Sequence, residues 1–350
     1  MVPKVLLTES ILKTIEVLEK GKKTLVVVVD ANNMLCGTVT DGDVRRGILN
    51  GVNLASSVSK IMNQNSITAP KTVADNELLS LMVDNKIEAL PIVDDEKRVL
   101  KVVHRNDVKD GGYKSESSGF EAAIIMAGGE GRRLRPLTND VPKPMLKVGG
   151  VPIIERQIIM LQRQGIRKIY ISINYLGDKI RDYLRDGSSF GVSIEYLEEK
   201  EKLGTAGAVS LLPVTFSSSV LVLNGDVLTS INYGSLYDFH SSHDSVITMA
   251  AISYNIDIPY GVVRTDGARA IALDEKPSQH FLCNAGIYAL SPKGISMIPK
   301  DTFFNMTDLI DLCLKNSKDV IVFPVHEYWS DIGTQHEYDK ASRLFSDSEI

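Results

Sequence analysis

Residues 127–146 read AGGEGRRLRPLTNDVPKPML. Gly128, Gly129 and Gly131 stand directly before Arg132, Arg133 and Arg135, and Lys143 follows between two prolines. A packed core has no use for that composition. A glycine-rich turn lets backbone N–H groups converge on a phosphate with no side chain in the way. Arginines add charge-assisted, bidentate bonds to phosphate oxygens, and a lysine adds a mobile point charge. The stretch therefore reads as a loop built for a polyphosphate. It is not a Walker A sequence, for want of GK[ST], nor a proper G-x-G-x-x-G fingerprint.

Just upstream, AAIIMA (122–127) is a short apolar run that predicts a strand feeding the turn. Downstream, the apolar runs KIYISI (168–173), VSIEYL (192–197), VLVLNGD (220–226), SVITMAAI (245–252) and VIVFPV (320–325) are interspersed with helical patterns at 152–166, 176–187 and 305–316. Such alternation predicts an α/β fold with a doubly wound, mixed but mostly parallel sheet. Ligands bind such sheets beyond the carboxyl ends of the strands.

The chain has 350 residues, 43% hydrophobic and 24% charged, enough for two or more domains with their own cores. A net charge of −5, with positive charge concentrated only in the loop, argues against nucleic acid as a partner. Cys36, Cys283 and Cys313 are scattered and lack metal-ligand spacing, so reduced thiols are expected. The N-terminal segment shows no long apolar core with a cleavage site, and no apolar run reaches the roughly 18–20 residues that span a bilayer. The expectation is a cytoplasmic protein with no membrane partner.

With its flanks, the loop strongly resembles that of the sugar-1-phosphate nucleotidyltransferases: a hydrophobic strand, then AGG-x-G-x-RL-x-PLT, then PKPM. The likeness runs over about residues 121–335 and implies a Rossmann-like catalytic domain with Mg²⁺ as cofactor. The implied reaction joins a sugar 1-phosphate to the α-phosphorus of a nucleoside triphosphate and expels pyrophosphate. An anionic nucleophile attacks an anionic centre, so alignment and charge neutralisation carry the catalysis.

The resemblance implies roles for the matching residues. Ala127, Gly128, Gly129 and Gly131 would cradle the nucleotide, Arg133 would face the leaving pyrophosphate, and Lys143 would sit near the α-phosphate. Arg132 and Arg135 carry no such match. Asp226, closing the strand VLVL in Asn224-Gly225-Asp226, and Asp331, in Trp329-Ser330-Asp331-Ile332-Gly333-Thr334, are the implied metal ligands, Asp226 also being catalytic. Two carboxylates suffice, because Mg²⁺ takes its other ligands from phosphates and waters. Tyr260-Gly261, Asp274-Glu275-Lys276-Pro277 and Asn284-Ala285-Gly286-Ile287-Tyr288 resemble the sugar elements, which assigns Gly261, Glu275, Lys276 and Asn284 to the sugar phosphate.

Leu203 to Ala208, LGTAGA, resembles the base and ribose element and assigns Gly204 and Thr205 to the nucleotide. The run EEKEK (198–202) precedes it. Guanine presents N1–H and N2–H₂ side by side, a donor pair matched to one carboxylate. Uracil and thymine present one N–H between two carbonyls, which suits an amide. Glu199 lies five residues before Gly204, where pyrimidine-using members carry Gln, and so points to GTP. The alternatives are dTTP, UTP and CTP, with EEKEK as a solvated charge run.

The first 110 residues hold a repeat. TLVVVVDANNMLCGTVTDGDV (24–44) aligns without a gap on EALPIVDDEKRVLKVVHRNDV (88–108), with Asp30 on Asp94 and Asp43 on Asp107. Each copy reads helix, strand, hairpin turn, strand, helix; two copies suit a pseudo-symmetric pair rather than a solenoid. They resemble tandem CBS domains, at about 1–58 and 59–110. In that family a Gly-h-h-Thr-x-x-Asp pattern holds a nucleotide ribose. Gly37 to Asp43 keeps it, implying Thr40 and Asp43 as ligands, while Lys101 to Asp107 has lost both Gly and Thr. A dimerisation module with a vestigial site is the other reading. KDGGYKSESSGF (109–120) reads as a linker, occupying 111–120 ahead of a nucleotidyltransferase domain at 121–350.

A CBS pair ahead of such a domain resembles the CBS-bearing glucosamine-1-phosphate guanylyltransferases of bacterial legionaminic acid biosynthesis. That implies GTP and glucosamine 1-phosphate as substrates, a homo-oligomer, and a regulatory nucleotide at the CBS pair. Mannose 1-phosphate is the more usual sugar of guanylyltransferases of this shape. A nucleotide-sensing regulatory protein is the reading of another class; the intact set Arg133, Lys143, Asp226, Lys276 and Asp331 argues for an enzyme.

Overall fold

The structure, a computed structural model, describes residues 2–20, 24–85, 87–105, 108 and 118–346, with backbone alone at 76 and 346. Asp107 and the expected linker up to residue 117 lie outside the described residues. The chain divides into two compact units: Met1–Ser115 with Tyr260–His280, and Glu116–Pro259 with Phe281–Ile350.

In the first unit, β1 (Lys4–Leu6), α1 (Ile11–Lys20), β2 (Leu25–Val29), β3 (Leu35–Thr40) and α2 (Asp41–Leu49) make one half. β4 (Ala69–Pro70), α3 (Asp75–Asp84), β5 (Ala89–Val93) and β6 (Val99–His104) make the other. β2 pairs parallel with β1 and antiparallel with β3, and β5 repeats this with β4 and β6. Every residue of β2, LVVVV, is buried because both its faces are covered. Val26 and Val28 pack with Ile11, Ile15 and Val44 of their own half, while Leu25, Val27 and Val29 pack with Ala89 and Val99 of the other. Strand alternation sends successive residues to opposite faces.

The repeat is visible in the two hairpin turns. Asp30 Oδ1 accepts from Asn32 N and Met34 N at 2.9 and 2.8 Å; Asp94 Oδ1 accepts from Glu96 N and Arg98 N at 3.0 and 2.8 Å. The halves exchange reciprocal bonds, Leu35 N to Lys97 O at 3.0 Å and Val99 N to Asn33 O at 3.2 Å, as pseudo-twofold symmetry requires.

The second stretch of chain runs β7 (Ala123–Met126), β8 (Lys147–Val148), β9 (Val151–Pro152), α4 (Ile153–Arg163), β10 (Lys168–Ile173), α5 (Gly177–Leu184) and β11 (Ser193–Glu198). Next come α6 (Gly204–Gly207), β12 (Val220–Asn224), β13 (Val227–Thr229), α7 (Tyr233–Ser242) and β14 (Ile247–Asp257). The hairpin β15 (Val262–Asp266) and β16 (Arg269–Asp274) groups with the first unit. β17 (Ser278–Leu290), α8 (Pro292–Ser296), α9 (Met306–Lys315), β18 (Val320–Val325), β19 (Trp329–Asp331) and α10 (Gln335–Ser346) follow.

Seven strands form one sheet in the order β11-β10-β7-β12-β17-β14-β18. β11, β10, β7 and β12 are parallel, β17 is antiparallel to β12, and β14 pairs parallel with β18. The sheet is mixed and mostly parallel. Its alternating side chains build two cores. Ala123, Ile125, Ile171 and Leu223 meet Ile154, Ile158, Ile180 and Leu236 from α4, α5 and α7. Ile124, Tyr170 and Val222 meet Ala206, Leu309 and Cys313 from α6 and α9. Both faces are covered, as a doubly wound sheet requires. β10 and β11 lie to one side of β7 and β12 to the other, so the strand order reverses at β7. Its carboxyl end is a switch point, and the glycine-arginine loop begins there.

A smaller cluster of Leu134, Leu146, Val148, Ile153, Leu228 and Ile332 seats the rest of that loop against β13 and β19, with Tyr338 and Phe345 of α10 packed on it. Among the described residues, no helix is long and apolar enough to cross a membrane.

Candidate functional site

The turn after β12 lies directly on the glycine-arginine loop. Gly225 N donates to Met126 O at 2.9 Å. A Cβ on Gly225 would stand 2.7 Å from that carbonyl and 3.2 Å from Ala127 Cα and Pro144 Cγ, so only glycine permits the approach. β13 then pairs antiparallel with β19, Val227 opposite Asp331, and Ile332 N donates to Asp226 O at 3.0 Å. This ladder brings the two aspartates together.

Lys143, only 9% exposed, ion-pairs with Asp226 Oδ2 and lies 3.9 Å from Asp331 Oδ1. Asp226 Oδ1 and Asp331 Oδ1 are buried without a hydrogen-bond partner. Burial, and next the Asp226 carboxylate, push the Asp331 carboxyl up to about 6; Lys143 and Arg133 pull it the other way. A buried polar atom left unpaired is costly unless something completes it. Two adjacent carboxylates, each with an open oxygen, are the hard-oxygen donor set that Mg²⁺ takes, so the residues present fit that ion.

The three arginines separate in space. Glu130 accepts from Arg132 Nε at 2.5 Å, pairs with Lys202, and lies 4.0 Å from Arg135 Nη2. Hydrogen bonds from Arg132 first, and then Lys202, hold Glu130 down at about 2. Arg133 is exposed and forms no ion pair among the described residues. Its guanidinium is thus open to phosphate oxygens. The sequence reading missed Glu130 and Lys202: the pair is 72 positions apart and leaves no local signal.

Glycine geometry shapes the loop. Gly131 holds φ at 61°, and a Cβ there would meet Thr138 Cγ2 at 2.9 Å and Lys143 Cβ at 3.1 Å. Thr138 Oγ1 donates to Gly131 O at 2.8 Å. A Cβ on Gly129 would meet nothing within 4 Å, leaving its backbone bare.

Glu199 is half-buried, whereas Glu198, Lys200, Glu201 and Lys202 are exposed. Its Oε1 accepts from Ser172 Oγ and its Oε2 from Leu203 N, the latter at 2.9 Å. A Cβ on Gly128 would stand 2.7 Å from Oε1, so Glu199 borders the loop. Glu198, by contrast, pairs with Arg181. Gly204 and Thr205 pack against the start of α9: Thr205 Oγ1 accepts from Met306 N at 2.9 Å, and a Cβ on Gly204 would lie 2.8 Å from Phe304 O. Asn284 Nδ2 donates to Tyr288 Oη at 2.7 Å, and its Oδ1 accepts from Gly286 N at 2.9 Å.

In the first unit, a Cβ on Gly261 would lie 3.1 Å from Glu275 Oε2, and Lys276 holds φ at 45°. These three sugar-phosphate candidates belong to that unit. The same unit holds a cleft of about 410 Å³ between its two halves, lined by Thr38, Thr40, Asp43 and Arg46 on one side and Ile87, Glu88 and Ala89 on the other. Thr40 N and Oγ1 donate to Asp43 Oδ2 at 2.8 and 2.7 Å, the capping box of α2. Arg46 Nη2 donates to Asp43 Oδ1 at 2.5 Å. His104, the counterpart of Thr40, instead hydrogen-bonds Thr24 at 3.2 Å.

A switch-point glycine-arginine loop beside a carboxylate pair, on a doubly wound sheet, defines the class as an α/β nucleotidyl transferase-type domain. The nucleotidyl transferase family model matches residues 122–348, and the chain belongs to that family. The CBS domain model matches residues 2–50 and 58–111, and CBS domains stand at the N-terminus.

A curated relative from Oryza sativa subsp. japonica, "Probable mannose-1-phosphate guanylyltransferase 1", is 34% identical over 236 residues, covering 65% of each chain. A mannose-1-phosphate guanyltransferase from Kluyveromyces lactis is 33% identical over 241 residues, covering 64% of each. The chain thus spans just under two thirds of these relatives' length. The crystal structure of HddC from Yersinia pseudotuberculosis complexed with GMP-PN has a TM-score of 0.50 at 28% identity, covering 64% of this chain and 99% of that one. A Bacillus anthracis structure bearing a glucose-1-phosphate thymidylyltransferase name has a TM-score of 0.53 at 25% identity, covering 65% and 96%.

Proposed function

We propose that this protein transfers a nucleoside monophosphate from a nucleoside triphosphate to a sugar 1-phosphate and releases pyrophosphate. The observation that carries this reading is Lys143 set between Asp226 and Asp331, with Arg133 unpaired, at the mouth of the glycine loop. The sugar-phosphate oxygen attacks the α-phosphorus. The bond from that phosphorus to the α–β bridging oxygen breaks, and pyrophosphate leaves with the electron pair. Backbone groups of Ala127, Gly128, Gly129 and Gly131 bind the triphosphate. Arg133 neutralises the departing pyrophosphate, and Lys143 answers charge at the α-phosphate. Asp226 and Asp331 would hold Mg²⁺, which supplies charge neutralisation on the phosphate oxygens. The sugar-phosphate roles of Gly261, Glu275, Lys276 and Asn284, and the nucleotide roles of Gly204 and Thr205, rest on their motifs.

GTP is the proposed nucleotide. The half-buried Glu199 carboxylate beside Gly128 matches the two adjacent donors of guanine. The relatives' guanylyltransferase names and the GMP-PN complex of HddC support it. Glucosamine 1-phosphate is the proposed sugar, on the strength of the CBS pair at the N-terminus, for legionaminic acid biosynthesis in the cytoplasm. Mannose 1-phosphate is the second reading, favoured by the relatives' names. In this proposal residues 1–110 form a regulatory CBS pair, with a nucleotide on Thr40 and Asp43, and residues 121–350 form the catalytic domain of a homo-oligomer.

The test is pyrophosphate release by the purified chain with Mg²⁺, each of GTP, dTTP, UTP and CTP, and glucosamine, mannose, glucose and N-acetylglucosamine 1-phosphates. Release with GTP and glucosamine 1-phosphate is expected. Release with another pair would keep the chemistry and discard the specificity. Silence with every pair, repeated with AMP or ATP added, would overturn the enzyme reading.

A further inference from the structure

A second cleft, of about 460 Å³, lies between β19 and α10. That volume is within the roughly 300–1,000 Å³ of small-molecule sites. Trp329, the chain's single tryptophan, lines it from the strand side. His336, Lys340 and Arg343 line it from the helix side. Their four- and three-residue spacing puts all three on one face of α10. Lys340 and Arg343 form no ion pair among the described residues, although Asp339 also lines the cleft. Asp339 accepts from Gln335 Nε2 at 2.9 Å instead.

Like charges so spaced repel one another. The carboxyl-terminal end of a helix favours a cation in its last turn, which accounts for Arg343 but not for a row of cations facing a cavity. Trp329 Nε1 donates to Ala285 O at 2.8 Å, which fixes the indole on the cleft wall. Two uncommitted cationic donors in a cleft that this indole also lines suit an anion carried on a ring.

We propose that this cleft binds a small phosphorylated metabolite, its phosphate on Lys340 and Arg343 and its ring against Trp329. The proposal stands apart from the transfer chemistry, which uses neither cation. Trp329 and Asp331 share the three-residue strand β19, so an occupant bears directly on the strand that carries a candidate metal ligand. That placement suits an effector.

The single tryptophan supplies the test. Emission of Trp329 is read in the full chain, in EDTA, during titration with AMP, glucose 6-phosphate or inorganic phosphate. A saturable change with AMP or glucose 6-phosphate is expected, with the stronger of the two identifying the ring, and a weaker change with inorganic phosphate. In Lys340→Ala/Arg343→Ala the half-saturation concentration should rise at least tenfold, since two charge-assisted bonds are lost. It should stay at the wild-type value in Arg133→Ala and in Asp43→Ala. Both cleft cations are exposed and alanine is a strong helix former, so the fold should hold; Lys340→Gln/Arg343→Gln repeats the test if circular dichroism shows otherwise. No saturable change in the wild type would overturn the proposal. So would a response kept by the cleft variants, or one lost in Arg133→Ala or Asp43→Ala.

Discussion

Asp331 stands opposite Val227 in the β13–β19 ladder, and that register sets its carboxylate beside Asp226 and 3.9 Å from Lys143 Nζ. The ammonium neutralises a carboxylate pair that would otherwise repel. Each member of the trio therefore depends on the other two, which makes their substitutions informative.

Asp226→Asn keeps the shape of the side chain and removes its charge. Turnover should fall by about 10²–10³-fold, as for loss of one preorganised electrostatic group, with the thermal midpoint near wild type. Pyrophosphate release with the working substrate pair reads it. Wild-type turnover would remove Asp226 from the metal assignment.

Lys143→Ala leaves the two aspartates facing each other unneutralised. The protein without Mg²⁺ should lose about 1–3 kcal/mol, and adding Mg²⁺ should recover most of it. The recovery separates cation replacement from a simple packing loss. In kinetics, kcat should drop more than KM for the sugar phosphate rises. The reverse pattern would move Lys143 to the sugar.

Glu199→Gln should erode the preference for GTP over UTP and dTTP by about tenfold or more, because the amide no longer accepts both guanine donors. The preference is read as a ratio of kcat/KM values. An unchanged ratio would leave Glu199 with a structural task alone, bonding Ser172 and Leu203.

His240 contributes one part of the pH dependence of stability. It is buried, with Nδ1 at 2.8 Å from Thr248 Oγ1 and Nε2 at 3.0 Å from Ser219 Oγ, and burial pulls its pKa from 6.5 to about 4. The folded state thus resists protonation more than the unfolded chain does. Its contribution is complete above 6.5 and is lost as pH falls toward 4, amounting to about 2 kcal/mol between pH 7 and pH 5. Urea unfolding of His240→Gln at those two pH values should show that much less acid destabilisation. An equal drop in both proteins would assign it elsewhere.

The CBS turns were legible in the sequence because Asp30 and Asp94 bond their own backbones two and four residues on. The sheet strands were legible as short apolar runs because both faces of the sheet are covered, Ile125 entering one core and Ile124 the other. β17 was not read as a strand from the sequence: its outer part, Ser278–Asn284, is exposed, and only Ala285–Leu290 is buried. The candidate site residues were singled out as motifs, but their partnerships were not visible in the sequence.

Composition and local periodicity were enough for the α/β class, the repeat and the glycine-arginine loop, because those properties live within a few residues of chain. Which arginine stays unpaired, which aspartate oxygens stay open, and where Glu199 points were settled by contacts across long separations. Glu130 takes Arg132 and Lys202 and leaves Arg133; the β13–β19 register joins Asp226 to Asp331; Ser172 and Leu203 turn Glu199 toward Gly128. Charge neutralisation and hydrogen bonding depend on which groups are adjacent in space, and that adjacency exists only once the sheet has formed.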